Sequence, residues 1–141
     1  MTVVAFAVGG TPETLRPAEY QPGVCNIGPA EIARRRRAGH TGVIAAIALF
    51  AALVVIGAPD WMRFLVAIPA IGAASGYLQA RLRFCAGFGS MGVFNFGELG
   101  PTERVASDAD RAGDRMRAFQ IGFASFAMGI AFGLLAVAVP V

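Results

Sequence analysis

The chain is poor in charge, and it lacks lysine altogether. Asp, Glu and Arg together make up 15% of the 141 residues, whereas ordinary soluble domains carry about 25% charged residues. Hydrophobic residues make up 56%, so the composition excludes disorder and disfavours a free-standing soluble fold. The twelve basic residues are all arginine. Because they cluster beside apolar runs, they do not indicate nucleic-acid binding.

The residues and motifs of common enzyme sites are also scarce. Two cysteines and one histidine are too few for a disulfide framework or a zinc finger. The sequence contains no phosphate-binding loop, nucleophile elbow or H-E-x-x-H motif. No apolar run carries an acid or base at its centre, as an ion or proton pathway would. The sequence therefore leans against an enzyme and indicates no particular cofactor.

Three long apolar runs dominate the sequence, at Thr41–Ala58, Met62–Gln79 and Ala118–Val141. A bilayer core needs about 20 mostly apolar residues of helix, with roughly 17 to 25 tolerated, and each run falls in that range. Pro59-Asp60-Trp61 separates the first two runs, which predicts an antiparallel hairpin closed by a tight turn. The predicted fold class is an all-α membrane protein with three transmembrane helices, a hairpin plus a C-terminal span, and an extended N-terminal arm.

The first half of the chain divides into an arm and the hairpin. Residues 1–28 carry prolines five or more residues apart, which favours an extended arm over a long helix. Residues 29–83 open with a helix start, because Pro29 suits the first helical position and Glu31 complements the helix dipole. This region then contains both helices of the transmembrane hairpin.

The second half divides into a polar loop and the last span. Residues 84–117 begin with a Gly- and Phe-rich stretch and end with alternating acids and arginines. The charged part predicts a short helix led by Ser107 or Asp108, with a solvated charged face. Residues 118–141 then form the third transmembrane helix.

The arginines flank the spans and predict their orientation. By the positive-inside rule, both open ends of the hairpin and the N-terminus lie in the cytoplasm, and the C-terminus lies outside. The predicted location is a bacterial-type inner membrane, with membrane lipids as one partner. The expected headgroup-binding residues, which could alternatively form a site for an anionic ligand, are Arg34, Arg35, Arg36, Arg37, Arg81 and Arg83.

Paired glycines mark candidate packing faces on two of the spans. Gly72 and Gly76 form one G-x-x-x-G motif, and Gly129 and Gly133 form another. This spacing places two glycines on one helix face, so that backbones approach closely. The motifs predict packing within the chain or docking against other membrane subunits or a second copy. Pro69 is expected to kink the second span.

The two thiols are predicted to lie at the same membrane face. Cys25 precedes the first span and Cys85 follows the second, and the hairpin brings both flanks together with His40. Three roles stay open: a structural or inert one, reversible thiol or sulfur chemistry, and metal binding with His40 as the weakest candidate. Arg81 and Arg83 close to Cys85 favour a reactive thiol.

A family resemblance covers roughly residues 24–97. Cys25-Asn26-Ile27-Gly28, then Glu31-Ile32 with arginines, then Gly39 opening an apolar run, resembles the YgaP-type inner-membrane transmembrane domain. Further residues stand in corresponding places: Gly76, Cys85 and Gly92. The resemblance implies membrane-associated sulfur or persulfide handling, with Cys85 as the residue concerned. This chain differs from that pattern in an added third span and in having no rhodanese domain.

Two functions of different classes follow from the sequence. The first is a non-catalytic accessory or packing subunit of a larger inner-membrane complex, indicated by the arm, the glycine-faced spans and the lack of intramembrane charge. The second is a membrane protein that handles sulfur or persulfide through Cys85, with or without Cys25. Lipid or pigment binding between the spans is a third possibility that the phenylalanines permit.

Overall fold

The computed structural model describes residues 20–141, so most of the expected N-terminal arm lies outside the described residues. Three helical segments are long and apolar enough to cross a membrane: Pro29–Val55, Asp60–Leu82 and Asp108–Ala138. The prediction of a mostly helical, multi-pass membrane protein is confirmed at this level.

Helix α1 comprises Pro29–Val55. Proline occupies its first turn, where the missing backbone N–H would have no partner in any case, and Glu31 lies in the same turn. The helix ends at Ile56, and Gly57 reverses the chain with a left-handed φ of 65°. The reversal between the first two spans is therefore centred on Gly57, slightly earlier than the predicted turn at Pro59-Asp60-Trp61.

The second span consists of two kinds of helix. A 3₁₀ helix at Asp60–Val66 leads directly into helix α2 at Ala67–Leu82. Pro69 is the third residue of α2 and lies in its first turn, where proline is tolerated. The kink at Pro69 stays a prediction.

The region between the second and third spans carries its own short elements. Helix α3 comprises Ala86–Met91, and strand β1 at Val93–Phe94 pairs antiparallel with β2 at Glu103–Arg104. Together with residues 20–28, this region forms a folded layer at the arginine-bearing end of the helices. We call residues 20–28 and 84–107 the cap.

The charged helix and the third span are one continuous helix, α4, at Asp108–Ala138. Ser107 caps it by accepting a hydrogen bond from the backbone N–H of Asp110 at 3.4 Å. The prediction of a separate short helix before the third span is wrong. No proline interrupts residues 108–138, so the helix has no reason to end where its composition changes from charged to apolar.

Helix α2 is the central helix, and α1 and α4 pack on it while hardly touching each other. Gly76 lets α1 approach, since a Cβ atom there would lie 2.5 Å from the backbone nitrogen of Gly39. Gly42 serves the same contact, with Ala73 backbone atoms within 2.8 Å of an added Cβ. The α1–α2 interface therefore depends on backbone-to-backbone contact at glycine, as in other closely packed membrane helices.

The α2–α4 interface also uses glycine. An added Cβ at Gly129 would clash with the Ile71 side chain, and one at Gly133 would lie 2.7 Å from Ala67. Gly72 differs from the other three glycines of the two motifs, because no atom lies within 4 Å of its added Cβ. Gly72 is exposed on the surface of α2.

The end of the bundle opposite the cap is closed by a buried arginine. The Arg63 side chain is 5% exposed and pairs with Asp60 at 3.0 Å. It also donates to the carbonyl oxygens of Val139 and Val141 at 3.0 and 2.9 Å. These carbonyls follow the end of α4, where helix hydrogen bonding stops, so Arg63 joins the second span to the end of the third.

We expect Gly76→Ala to destabilise the protein and Gly72→Ala, its matched control in the same helix, to leave the stability unchanged or slightly higher. The added methyl group at Gly76 would push α1 away, at a cost of about 1–3 kcal/mol, whereas alanine at Gly72 gains up to about 1 kcal/mol of helix propensity. Reversible unfolding in detergent measures the difference. Equal stability of the two variants would contradict the close α1–α2 contact.

Candidate functional site

The cap is held to α4 by a buried carboxylate. Asp114 is fully buried and accepts hydrogen bonds from the Tyr20 hydroxyl and the Gly23 backbone N–H, both at 2.7 Å. The Tyr20 ring stacks on Phe94 with ring centroids 5.0 Å apart. Asp110 is also buried. The predicted solvated face of the charged helix is therefore wrong at these acids, and at Asp114 the covering residues are Tyr20 and Gly23.

Asn26 fixes the backbone of Cys85 from two sides. Its side-chain Nδ2 donates to the Cys85 carbonyl oxygen at 3.1 Å, and its Oδ1 accepts from the Cys85 N–H at 2.7 Å. The backbone N–H of Asn26 donates to the carbonyl of Arg83, which ends α2 in a left-handed conformation with φ of 52°. The Asn26 side chain is fully buried, so Cys85 lies at a fixed point where α2 ends and α3 begins.

Gln79 supports the same turn from α2. Its Oε1 accepts a hydrogen bond from the backbone N–H of Ala86 at 3.0 Å, and its Nε2 donates to the Ser75 hydroxyl at 2.7 Å. Gln79 is 9% exposed. The backbone N–H of Ala86, the first residue of α3, is thus paired with a side chain of α2. Asn26 holds the backbone of Cys85 itself, and Gln79 holds that of the next residue.

The Cys85 sulfur receives two hydrogen bonds. Arg35 Nη2 donates to Sγ at 2.8 Å, and the backbone N–H of Phe88 donates at 3.5 Å. The Arg35 guanidinium also lies over the Phe88 ring, 5.9 Å from its centroid. Cys85 is 2% exposed, so Arg35 and Phe88 contact the sulfur and lie against each other beside it.

A buried carboxylate completes the cluster. Glu31 is fully buried, with its oxygens 3.6 Å from Arg34 Nη1 and from Arg35 Nη2. At that distance these are ion pairs rather than hydrogen bonds, and neither Glu31 oxygen accepts a hydrogen bond from residues 20–141. One nitrogen of Arg35 therefore lies between a carboxylate and a sulfur. We call Asn26, Glu31, Arg35, Gln79 and Cys85 the thiol site.

The six arginines expected at the headgroups have different surroundings. Arg35 is turned inward, with a side chain only 18% exposed, and Arg34 keeps 53% exposure while pairing with Glu31. The other four are exposed residues: Arg36, Arg37, Arg81 and Arg83. The run of four arginines thus contributes one side chain to the thiol site and leaves the others at the surface.

The remaining candidate ligands, Cys25 and His40, have other partners. Cys25 is buried and free, and its thiol faces the Ile27 carbonyl at 3.8 Å. His40 Nδ1 lies 2.5 Å from the Tyr77 hydroxyl. Across residues 20–141, no three His, Cys, Asp or Glu side chains lie close enough together to hold a metal ion.

Three members of the thiol site were not singled out as functional from the sequence: Asn26, Glu31 and Gln79. Glu31 was expected to act through the helix dipole, and Asn26 appeared only within the resemblance. All three are polar residues placed among apolar neighbours. Asn26 contacts Cys85 across 59 positions and Gln79 contacts Ala86 across 7. Glu31 contacts Arg35, whose hydrogen bond to Cys85 spans 50 positions, so the pairings with Cys85 and Ala86 are not legible from local pattern alone.

We expect Asn26→Ala to expose Cys85. The variant is made in a Cys25→Ser background, so that labelling reports on Cys85 alone. The substitution leaves the Cys85 N–H and carbonyl without partners, at about 1–3 kcal/mol for each group. Maleimide labelling of Cys85 should become faster, and the protein less stable. Ser90→Ala, which removes an exposed hydroxyl of α3, is the matched control and should leave the labelling rate unchanged. An unchanged rate in Asn26→Ala would contradict the clamp.

Comparison of the chain with protein-family models, with curated proteins and with solved structures gives no match.

Proposed function

We propose that this protein is a membrane-embedded thiol protein that carries sulfane sulfur as a persulfide on Cys85. The observation that carries the proposal is the hydrogen bond from Arg35 Nη2 to the Cys85 sulfur at 2.8 Å. A guanidinium at this distance is placed to pair with an anionic sulfur, either the thiolate or its persulfide.

The concentration of buried polar groups supports a chemical role. A buried cysteine that only fills space behaves as a small hydrophobe and needs no polar partners. Here Asn26 and Glu31 are fully buried, Gln79 is 9% exposed, and all three surround Cys85 or its arginine. Burying such groups is unfavourable unless they are paired. Their arrangement around one thiol favours a site built to hold a charged sulfur.

The reaction requires no oxidant, because sulfur transfer between thiols is an exchange. The Cys85 thiolate attacks the outer sulfur of a donor persulfide, R–S–SH. A new S–S bond forms at Cys85 as the donor's S–S bond breaks, and the electron pair leaves with R–S⁻. The outer sulfur keeps its proton, so charge and atoms balance. An acceptor thiolate then removes the sulfur from Cys85 by the same exchange in the opposite sense.

Arg35 is placed to act in both halves of this exchange. Its Nη2 lies beside the Cys85 sulfur before the attack. The same nitrogen stays close to Glu31, which balances the charge of the guanidinium. Its side chain keeps 18% exposure, so a rotation of Arg35 away from Phe88 opens the buried sulfur to a small donor. The same residue therefore controls access and stabilises the anion.

The resemblance to the YgaP-type domain is consistent with this proposal. Asn26, Glu31 and Cys85 carry part of that resemblance, and they lie in one cluster although they are far apart in sequence. Sulfur handling is what the resemblance implies. The proposal itself rests on the contacts of Cys85.

We expect Arg35→Met to slow persulfide formation on Cys85 by roughly ten- to a hundredfold. A hydrogen bond to a charged group contributes about 1.5–3 kcal/mol, and about 1.4 kcal/mol corresponds to a tenfold change. The full chain in detergent, with Cys25→Ser, would be treated with a low-molecular-weight persulfide, and addition of one sulfur atom would be followed by intact mass.

Arg34→Met is the matched control, because Arg34 shares Glu31 with Arg35 but does not contact the sulfur. It should react as the parent protein does, and Cys85→Ser should acquire no sulfur. Faster reaction in Arg35→Met would show that Arg35 only shields the thiol, and the proposed role would then be abandoned.

A second candidate function is the accessory or packing subunit, and one observation favours it. Gly72 is exposed on α2, and nothing in residues 20–141 lies within 4 Å of an added Cβ. Ile68, one turn away, is 68% exposed. An exposed glycine beside an apolar side chain is the surface on which another transmembrane helix can pack closely. The other three motif glycines are used within the chain.

We expect Gly72→Leu to release the protein from such an assembly. The tagged chain, extracted from its own membrane in mild detergent, would be separated by native electrophoresis. The unsubstituted chain should migrate above the monomer, and Gly72→Leu should migrate as the monomer because leucine keeps the backbones apart. Ala45→Leu, at an exposed position of α1, is the control. A monomeric unsubstituted chain would exclude this second function.

A further inference from the structure

A deep apolar groove runs between α1 and α4, with α2 as its floor. It has a volume of about 650 Å³, and its lining is almost wholly apolar. The groove exists because α1 and α4 each pack on α2 but hardly on each other. Representative residues of its walls and floor are Val43, Ile47, Phe50, Ala70, Phe132 and Leu135.

The groove is apolar along its length but cationic beyond the end nearer the cap. Val43, Ile47 and Phe50 line it from α1, and the same face of the helix continues through His40 to Arg36. The spacing along this face is four, three, four and three residues, which is the spacing of one helix face. His40 and Arg36 are exposed, so the row runs from an apolar wall, where Val43 and Ile47 keep 37% and 65% exposure, to a surface cation.

Tyr77 marks the boundary between the two parts. Its ring lines the groove, and its hydroxyl lies 2.5 Å from His40 Nδ1. The ring lies flat against Gly39, where an added Cβ would be 3.0 Å from the ring carbons. The groove therefore ends in a polar pair, with Arg36 and the neighbouring Arg37 one turn further along α1.

The length of the groove fits a single lipid chain. From Val66 to Tyr77 along its floor is about 17 Å at 1.5 Å per residue. One leaflet contributes half of a hydrocarbon core of about 30 Å, or about 15 Å. A partner transmembrane helix would need the full thickness. We propose that the groove binds one acyl chain of an anionic phospholipid, with its phosphate at Arg36 and the His40–Tyr77 pair.

The test uses the full chain, delipidated in detergent and offered phosphatidylglycerol and phosphatidylcholine with identical acyl chains. Native mass spectrometry would count the lipids retained. One phosphatidylglycerol should be retained, at least about fivefold more often than phosphatidylcholine, since each basic residue near an anionic lipid contributes about 1 kcal/mol. Arg36→Gln should lower this preference about fivefold, and Arg104→Gln, an exposed arginine of the cap, should not.

A second pair of variants tests the groove itself. Ala46→Phe adds a ring to the groove wall and should abolish retention of both lipids, while Ala45→Phe, exposed on another face of α1, should leave retention unchanged. Unfolding temperatures of both variants would show that the fold is intact. Equal retention of the two lipids, or equal loss with Ala45→Phe, would overturn the proposal. Neither result bears on persulfide formation at Cys85, which is read separately.

Discussion

The pairing of one buried side-chain amide with both backbone polar groups of one residue organises the cap of this protein. Asn26 bonds both the N–H and the carbonyl of Cys85, so the segment before α1 is joined to the turn after α2. Its own backbone groups then bond Arg83 and Asn95. Asn26 is fully buried, so each hydrogen bond of its side chain and backbone contributes more to stability than the same bond would at a surface. Without this pairing, neither the start of α1 nor the position of the thiol would be fixed.

Charge near the apolar layer is arranged by the same physical rule. An isolated buried carboxylate is very unfavourable, and a buried ion pair is tolerated only with good partners. Glu31 has two arginines at 3.6 Å, and Arg35 has both a carboxylate and a sulfur. The Cys85 sulfur therefore contacts the same guanidinium nitrogen that pairs with Glu31. Arg63 at the other end of the bundle pairs with Asp60 and also donates to backbone oxygens of Val139 and Val141 beyond the end of α4.

The sequence predicts the three spans because hydropathy is a property of a continuous stretch of chain. It does not predict which way each residue faces. Arg34 to Arg37 are identical in sequence, yet only Arg35 reaches the sulfur, since it stands one turn after Glu31 on the inward face. Gly72 and Gly76 belong to one motif, yet one is open and the other touches Gly39. Helix phase and distant partners decide both cases. The pairing of Asp114 likewise depends on distant partners, Tyr20 and Gly23.

The run of four arginines lets one helix serve two different surfaces. Successive residues of an α-helix point about 100° apart, so neighbouring side chains in such a run cannot share one environment. Arg35 faces the cap and the thiol, whereas Arg36 continues the row that leads into the groove through His40. A single arginine could stabilise only one of these surfaces. Two arginines separated by further polar residues would leave fewer residues of α1 for its apolar length. Consecutive arginines place a cation on each face within one turn, which leaves the whole of the following helix free to cross the membrane.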